Sequence, residues 1–231
     1  MIYNAVISVL FLLASFLSSN KHFPETPNFK SFEVAGVVKP NSDSNIVMVY
    51  SKLHSDQFGL PNLESFSQAL KGFYALKEKG LIQKDILTLV DFSLSSNFKR
   101  LWVIDLTTNT ILFQSLVAHG RNTGDEFANS FSNAEKSFKS SLGFYATGEI
   151  YTGKHGMSLR LDGLEKGVNS NARARGVVMH AADYVSNSFI KCNKRLGRSE
   201  GCPAIPVELS NEIINAIKNK SCLFIYFPAA S

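Results

Sequence analysis

Three cysteines, one tryptophan and no Cys-x-x-Cys pair occur in the 231 residues, and each scarcity narrows what the chain does. Three thiols cannot all pair within one chain. The simplest assignment leaves Cys202 free, and whether Cys192 and Cys222 pair stays open. Without Cys-x-x-Cys, His-x-His or His-Glu-x-x-His spacing, His119, His155, His180 and Asp162 do not read as a metal site. No metal and no organic cofactor are expected. No block of five or six like charges occurs, and the net charge of +5 is mild and spread along the chain, which argues against a nucleic-acid partner. That excess would suit an anionic wall or membrane surface instead. No internal repeat points to a solenoid or propeller.

What is present is an ordinary globular composition, 45% hydrophobic and 19% charged, long enough for one sizeable core or a core plus a smaller segment. The longest apolar run, residues 5–17, is interrupted only by Ser8 and Ser15 and is short for a spanning helix. Residues 1–19 therefore read as a signal peptide or N-terminal anchor, with a buried core helix as the plainer alternative. Residues 20–43, with Pro24, Pro27 and Pro40, read as a linker. The protein is expected to be exported to the periplasm or cell envelope, as a monomer, with membrane association through its N-terminus as a further expectation.

Helical periodicity follows. Residues 44–57 place Ile46, Val49, Tyr50, Leu53 and Gln57 on one face, with Ser44 as cap. Residues 62–79 carry Leu63, Phe66, Leu70, Phe73 and Tyr74 or Leu76, with Gly80 as the stop. These form a helical lead-in, 44–82, whose stripe reads as packing against a domain at 83–231. Strands are predicted at 86–92, at 101–106 and 110–117 joined by a hairpin loop at 107–109, and at 144–151, 159–163, 177–180 and 222–227. Pro206 opens a helix at 207–219. Two adjacent antiparallel strands so early argue against a doubly wound sheet and for a mainly β, α+β domain. The long polar loop to about residue 141 is functional or mobile. Arg173 and Arg175 read as solvated.

The chemistry gathers in two stretches. Val177-Val178-Met179-His180 is a buried strand ending in a histidine. Gly197-Arg198-Ser199-Glu200-Gly201-Cys202-Pro203 is a polar loop with a cysteine between a glycine and a proline. If the loop folds back on the strand end, thiol and imidazole meet as a thiolate–imidazolium pair, a nucleophile for acyl transfer. Gly201 permits positive φ and close approach. The Gly201 and Cys202 N–H groups would face an oxyanion. Ser199 would bond the loop or orient the histidine, and Arg198 would grip a substrate carboxylate. Lys191, Lys194, Arg195 and Arg198 form a basic rim. Against this, a lone cysteine is more often a small buried hydrophobe, and His119 is either a site residue or a satisfied histidine at a strand end.

These stretches resemble the L,D-transpeptidase (YkuD-type) family, and most closely its murein L,D-transpeptidase catalytic domain branch with a Gly-Arg-Ser-x-Gly-Cys-Pro loop. Further segments are similar in the same order: Ala118-His119-Gly120, Phe131-Ser132-Asn133, Ser140-Ser141-Leu142-Gly143, Tyr151-Thr152-Gly153-Lys154-His155-Gly156 and Leu159-Arg160-Leu161-Asp162-Gly163. The family's usual histidine before Gly-Cys is Glu200, and the arginine often found two places after the cysteine is Ala204. The resemblance implies a YkuD-like β-sandwich with mixed sheets and a C-terminal helix. It implies Cys202 as nucleophile, His180 as base, and Ser199 and Gly201 shaping the site. Arg198, His119, Asn133 and Tyr184 would contact substrate. Peptidoglycan stem peptides would be the partner, and acyl transfer to an amine through a thioester the reaction. Hydrolysis of murein stems or cross-links by the same cysteine is the second reading, and an inactive wall-binding module the third.

Overall fold

The computed structural model describes residues 42–54 and 57–229. The expected leader (1–19) and nearly all of the expected linker (20–43) lie outside the described residues. Among those described, no helix is long and apolar enough to cross a membrane.

Helix α1 spans Ser42–Ser51 and α2 spans Leu63–Glu78. The strands are β1 (Ile86–Asp91), β2 (Leu101–Asp105), β3 (Thr110–Ser115), β4 (Gly143–Gly153), β5 (Gly156–Gly163), β6 (Val178–Ala181), β7 (Ala204–Ile205) and β8 (Cys222–Tyr226). Two further helices are α3 (Asn187–Asn193) and α4 (Val207–Ile217). The fold is mainly β with a few helices, as expected, and the sheet is mixed. Its eight strands form one ladder in the order β3-β2-β1-β8-β4-β5-β6-β7. The β1–β8 and β6–β7 pairs are parallel and the other neighbours antiparallel.

The alternation of side chains divides the sheet between two cores. Leu101, Val103, Leu223 and Ile225 face one cluster with Tyr145, Leu159, Leu161, Met179 and Ile205, sealed by Ile213, Ile214 and Ile217 of α4. Both halves of the ladder feed this single interior. Trp102, Ile104, Cys222, Phe224 and Tyr226 alternate onto the other face, where α1 and α2 cover them with Ile46, Phe66, Leu70, Phe73 and Leu76. Burial on both faces is why these strands read as continuous apolar runs.

Helix α2 starts where the sequence signals it: the Asn62 side chain accepts from Glu64 N, and Gly80 takes a positive φ of 68° past its end. On its stripe Leu76 is buried, whereas Leu63 and Tyr74 are exposed. Helix α1 stops short of the expected residue 57. His54 is captured by the start of β3 through His54 N–H to Asn109 O at 2.8 Å and Ile111 N–H to His54 O at 3.2 Å. Backbone pairing at that point ends the helix.

A third, small apolar cluster underlies the region of interest. Leu116, Ala118, Ala182, Val185, Leu196 and Ala204 pack together and anchor the loop that precedes β7.

Candidate active site

Strand β6 carries His180 opposite Ala204 of β7, so Cys202 sits two residues before that partner, on the turn leading into the strand. Pro203 has no N–H to extend the ladder toward Cys202. The other edge of the loop is zipped to residues 118–121. Ala118 N–H donates to Ala204 O at 2.8 Å, Ser199 N–H to His119 O at 3.0 Å, and Arg121 N–H to Ser199 O at 2.8 Å. Inside the loop, Ser199 Oγ donates to Cys202 O at 2.6 Å and accepts from Gly201 N–H at 3.1 Å. Gly201 has φ +120°, and a Cβ there would lie 2.8 Å from Lys139 O. Only glycine fits that conformation at that approach.

Cys202 Sγ receives Val178 N–H at 3.5 Å and faces Gly176 O at 3.8 Å. His180 is buried, and its Nδ1 lies 2.8 Å from Ala181 O. A carbonyl only accepts, so Nδ1 holds the proton and the neutral ring presents Nε2 as its basic nitrogen. The His155 ring stacks on His180 with centroids 4.3 Å apart and planes 20° apart. Burial pushes the Cys202 thiol up, partly countered by the Val178 N–H and the Arg175 charge. Burial lowers His180, and the His155 and Lys154 charges lower it further, against the Ala181 hydrogen bond. These directions favour a neutral thiol beside a neutral imidazole over the ion pair expected from sequence. His180 is not among the hydrogen-bond partners of Sγ.

Both side chains line one cleft of about 570 Å³, with Ser199, Arg198 and Tyr184 also in its wall. Tyr184 packs on Gly197, where a Cβ would meet it at 2.4 Å, and burial pushes its phenol up to about 12. Arg198 Nη1 is held by Asp125 Oδ1 at 2.5 Å and Gly124 O at 3.1 Å. It is part of the loop scaffold as well as the cleft wall.

Two of the expected substrate contacts lie elsewhere. His119 is 1% exposed, with Nδ1 2.8 Å from Arg100 Nη2 and Nε2 3.3 Å from Gly124 O. Of the two readings, the structure places it as a satisfied histidine behind the loop. Asn133 bonds Ser170 Oγ at 3.2 Å and Asn171 N at 3.0 Å, and does not line the cleft. The basic rim also has a different make-up. Of Lys191, Lys194, Arg195 and Arg198, only Arg198 lines the cleft, together with Arg121, Lys136, Lys154 and Arg175. Arg121 lies 3.9 Å over the Phe138 ring and 3.7 Å from Glu200 Oε1. Arg175, read as solvated, is half-buried. Arg173 is exposed, in ion pairs with Asp162 and Glu149. The Gly201 N–H, expected at an oxyanion, is bonded to Ser199 instead, while the Cys202 N–H takes no part in the bonds that tie the loop.

A mixed sheet that opens a histidine and a cysteine into one cleft, backed by a glycine-pinned loop, is the layout of a catalytic domain. The model of the L,D-transpeptidase catalytic domain family matches residues 60–226, and the chain belongs to this family of peptidoglycan enzymes. No curated protein matches the chain. Solved structures similar to it include an L,D-transpeptidase from Mycobacterium smegmatis, at 10% identity and a TM-score of 0.38, with 62% of this chain and 59% of that one covered. Another is the helical cell shape determining protein Pgp2 of Campylobacter jejuni, at 12% identity and a TM-score of 0.41, covering 84% and 58%. A third is L,D-transpeptidase 3 of Mycobacterium tuberculosis, at 10% identity and a TM-score of 0.39, covering 62% and 61%. The matched part spans about three fifths of the length of these relatives.

Proposed function

We propose that this chain is a cysteine L,D-transpeptidase of the branch with the Gly-Arg-Ser-x-Gly-Cys-Pro loop, acting on peptidoglycan stem peptides in the cell envelope after export. The observation that carries this reading is the shared cleft. Sγ lies at its wall with a backbone N–H aimed at it, and His180 lines the same space with Nε2 as its basic nitrogen.

The chemistry follows from these groups. His180 Nε2 takes the thiol proton as Sγ attacks a stem-peptide carbonyl, and the Cys202 N–H faces the oxyanion. The tetrahedral adduct collapses to a thioester as Nε2 returns the proton to the departing amine. An incoming amine then loses a proton to Nε2, attacks the thioester and leaves the thiol restored. Water in place of the amine gives hydrolysis. The reading needs no metal or cofactor, and it treats the protein as a monomer with membrane association through its N-terminus.

Incubation with muropeptides and a carbapenem tests the proposal. Wild-type protein gives cross-linked or exchanged muropeptides and a covalent carbapenem adduct on the Cys202 peptide. Cys202→Ala gives neither, with turnover lowered by at least about 10³-fold. A Cys202→Ala protein that retains turnover overturns the nucleophile. Product that is only hydrolytic under every condition moves the reading to a carboxypeptidase or endopeptidase. A wild-type protein with no turnover and no adduct moves it to a wall-binding module.

A further inference from the structure

Arg175 is half-buried, and among the described residues no carboxylate balances it. Its Nη1 donates to Ser132 O at 2.8 Å and Ser141 Oγ at 3.3 Å, and its Nη2 to Lys139 O at 2.6 Å and Ser137 Oγ at 3.3 Å. Every acceptor is neutral. A guanidinium withdrawn from water without a counter-charge is costly, so its placement favours an anion nearby.

Two groups that become anions on deprotonation, Tyr145 and Cys202, would offset its charge. Tyr145 is fully buried and bonded to Ser141, and burial keeps its phenol protonated far above the ordinary range. Burial raises the Cys202 thiol as well, but its deprotonation is the one the proposed reaction requires, and the Arg175 charge favours it. The chain wraps around the sulfur from Arg175 onward: Gly176 O and Val178 N–H are its two backbone neighbours. On the other side, a Cβ built at Gly201 would stand 3.3 Å from Arg175 Nη2. The guanidinium therefore lies against the loop that carries the thiol, and both line the cleft.

We propose that Arg175 is the counter-charge of the Cys202 thiolate, a positioning residue that acts through the sulfur while its four hydrogen bonds hold the 132–141 loop against the cysteine turn. The proposal rests on Cys202 being the nucleophile. Lys154, at the β4–β5 hairpin tip, acts on the sulfur in the same direction, and Glu200 acts against it. His180 with His155 stacked on it, Tyr151 and Tyr184, and the charges of Arg121, Lys136 and Arg198, are the other titratable groups of that wall. The thiolate forms as a half-buried anion beside a cation that belongs to the scaffold and not to the base. His180 is then free to remain neutral and carry protons.

Alkylation of full-length protein by iodoacetamide, followed by mass spectrometry of the Cys202 peptide from pH 6 to 11, tests this. Arg175→Gln should raise the midpoint of the rate–pH curve by about one unit, a tenfold smaller thiolate fraction at neutral pH. Arg175→Lys, which keeps the charge without the fork, should stay within about 0.3 units of wild type. Arg175→Met, which keeps the aliphatic stem, replaces the glutamine variant if that one does not fold. A folded neutral variant with an unmoved midpoint overturns the proposal. Equal rises in the lysine and neutral variants also overturn it, because loop disruption would then be the cause. Turnover that survives in Cys202→Ala refutes the nucleophile without touching the midpoint result. An unmoved midpoint with turnover lost in Cys202→Ala refutes only the counter-charge.

Discussion

At the residue scale, Arg100 and His119 fix each other's charge. Arg100 is fully buried, donates to Val117 O, Leu94 O and His119 Nδ1, and lies 4.8 Å over the Phe92 ring. His119 Nδ1 must accept from that guanidinium, so the ring donates through Nε2 to Gly124 O, which Arg198 also binds. Burial, then the Arg100 charge, push His119 down to about 4. Its folded value is below its unfolded one, so the unfolded chain takes the proton first. The contribution to stability is intact above about pH 6.5 and is lost as pH falls from there toward 4, amounting to about 3 kcal/mol at most. Chemical denaturation between pH 7 and 4 checks this: His119→Gln should show a shallower acid loss than wild type. The sequence marked His119 as notable, but nothing local to it distinguished a cleft residue from a buried one. Arg100 was not legible at all. A lone arginine in a polar stretch reads as solvated until the fold closes over it, and the same holds for Arg175.

At the element scale, boundaries were readable where the cue was local. Asn62 caps α2, Pro206 precedes α4, and Asn109, at φ 55°, turns the β2–β3 hairpin. They failed where a distant strand intervened, as when β3 captured His54 and shortened α1. Cross-element packing also reverses a propensity rule. Gly72 lies within α2, where alanine would ordinarily gain about 1 kcal/mol. A Cβ there would stand 1.9 Å from the Phe144 ring, which is itself stacked on Phe224 at 4.1 Å. Gly72→Ala should therefore lower the thermal midpoint, measured by circular dichroism, with a net cost of about 1–3 kcal/mol from forced repacking. A raised midpoint would mean that the ring pair shifts freely. In the site, the histidine-ended strand and the glycine-flanked cysteine were visible from sequence. The His155 stack and the Arg121, Lys136 and Lys154 wall were not, because they come from segments brought in by the β4–β5 hairpin and the 120–141 loop.

For the whole molecule, the two lead-in helices are part of the core. Phe66, Leu70 and Phe73 of α2 are fully buried against the sheet face that carries Leu87, Leu89, Trp102 and Ile104. Expression of residues 83–231 alone should give insoluble or dimerising material, read by size-exclusion chromatography, since a bare apolar sheet face of that extent does not stay monomeric in water. A soluble, active monomer would show that the helices are dispensable. The strands were legible one by one, but their order was not: the pairs β1–β8 and β4–β8 join segments far apart in the chain, and no local pattern encodes them.

That order has a consequence for biosynthesis. Strand β8 lies between β1 and β4, so the centre of the sheet is translated after both flanks. While residues 222–226 are still inside the ribosome, the edges of β1 and β4 lack the strand that pairs with both, and each stays unpaired. The two flanks of the sheet thus stay unjoined along β1 and β4 until residues 222–226 emerge, so the central seam is the last part of the sheet to close.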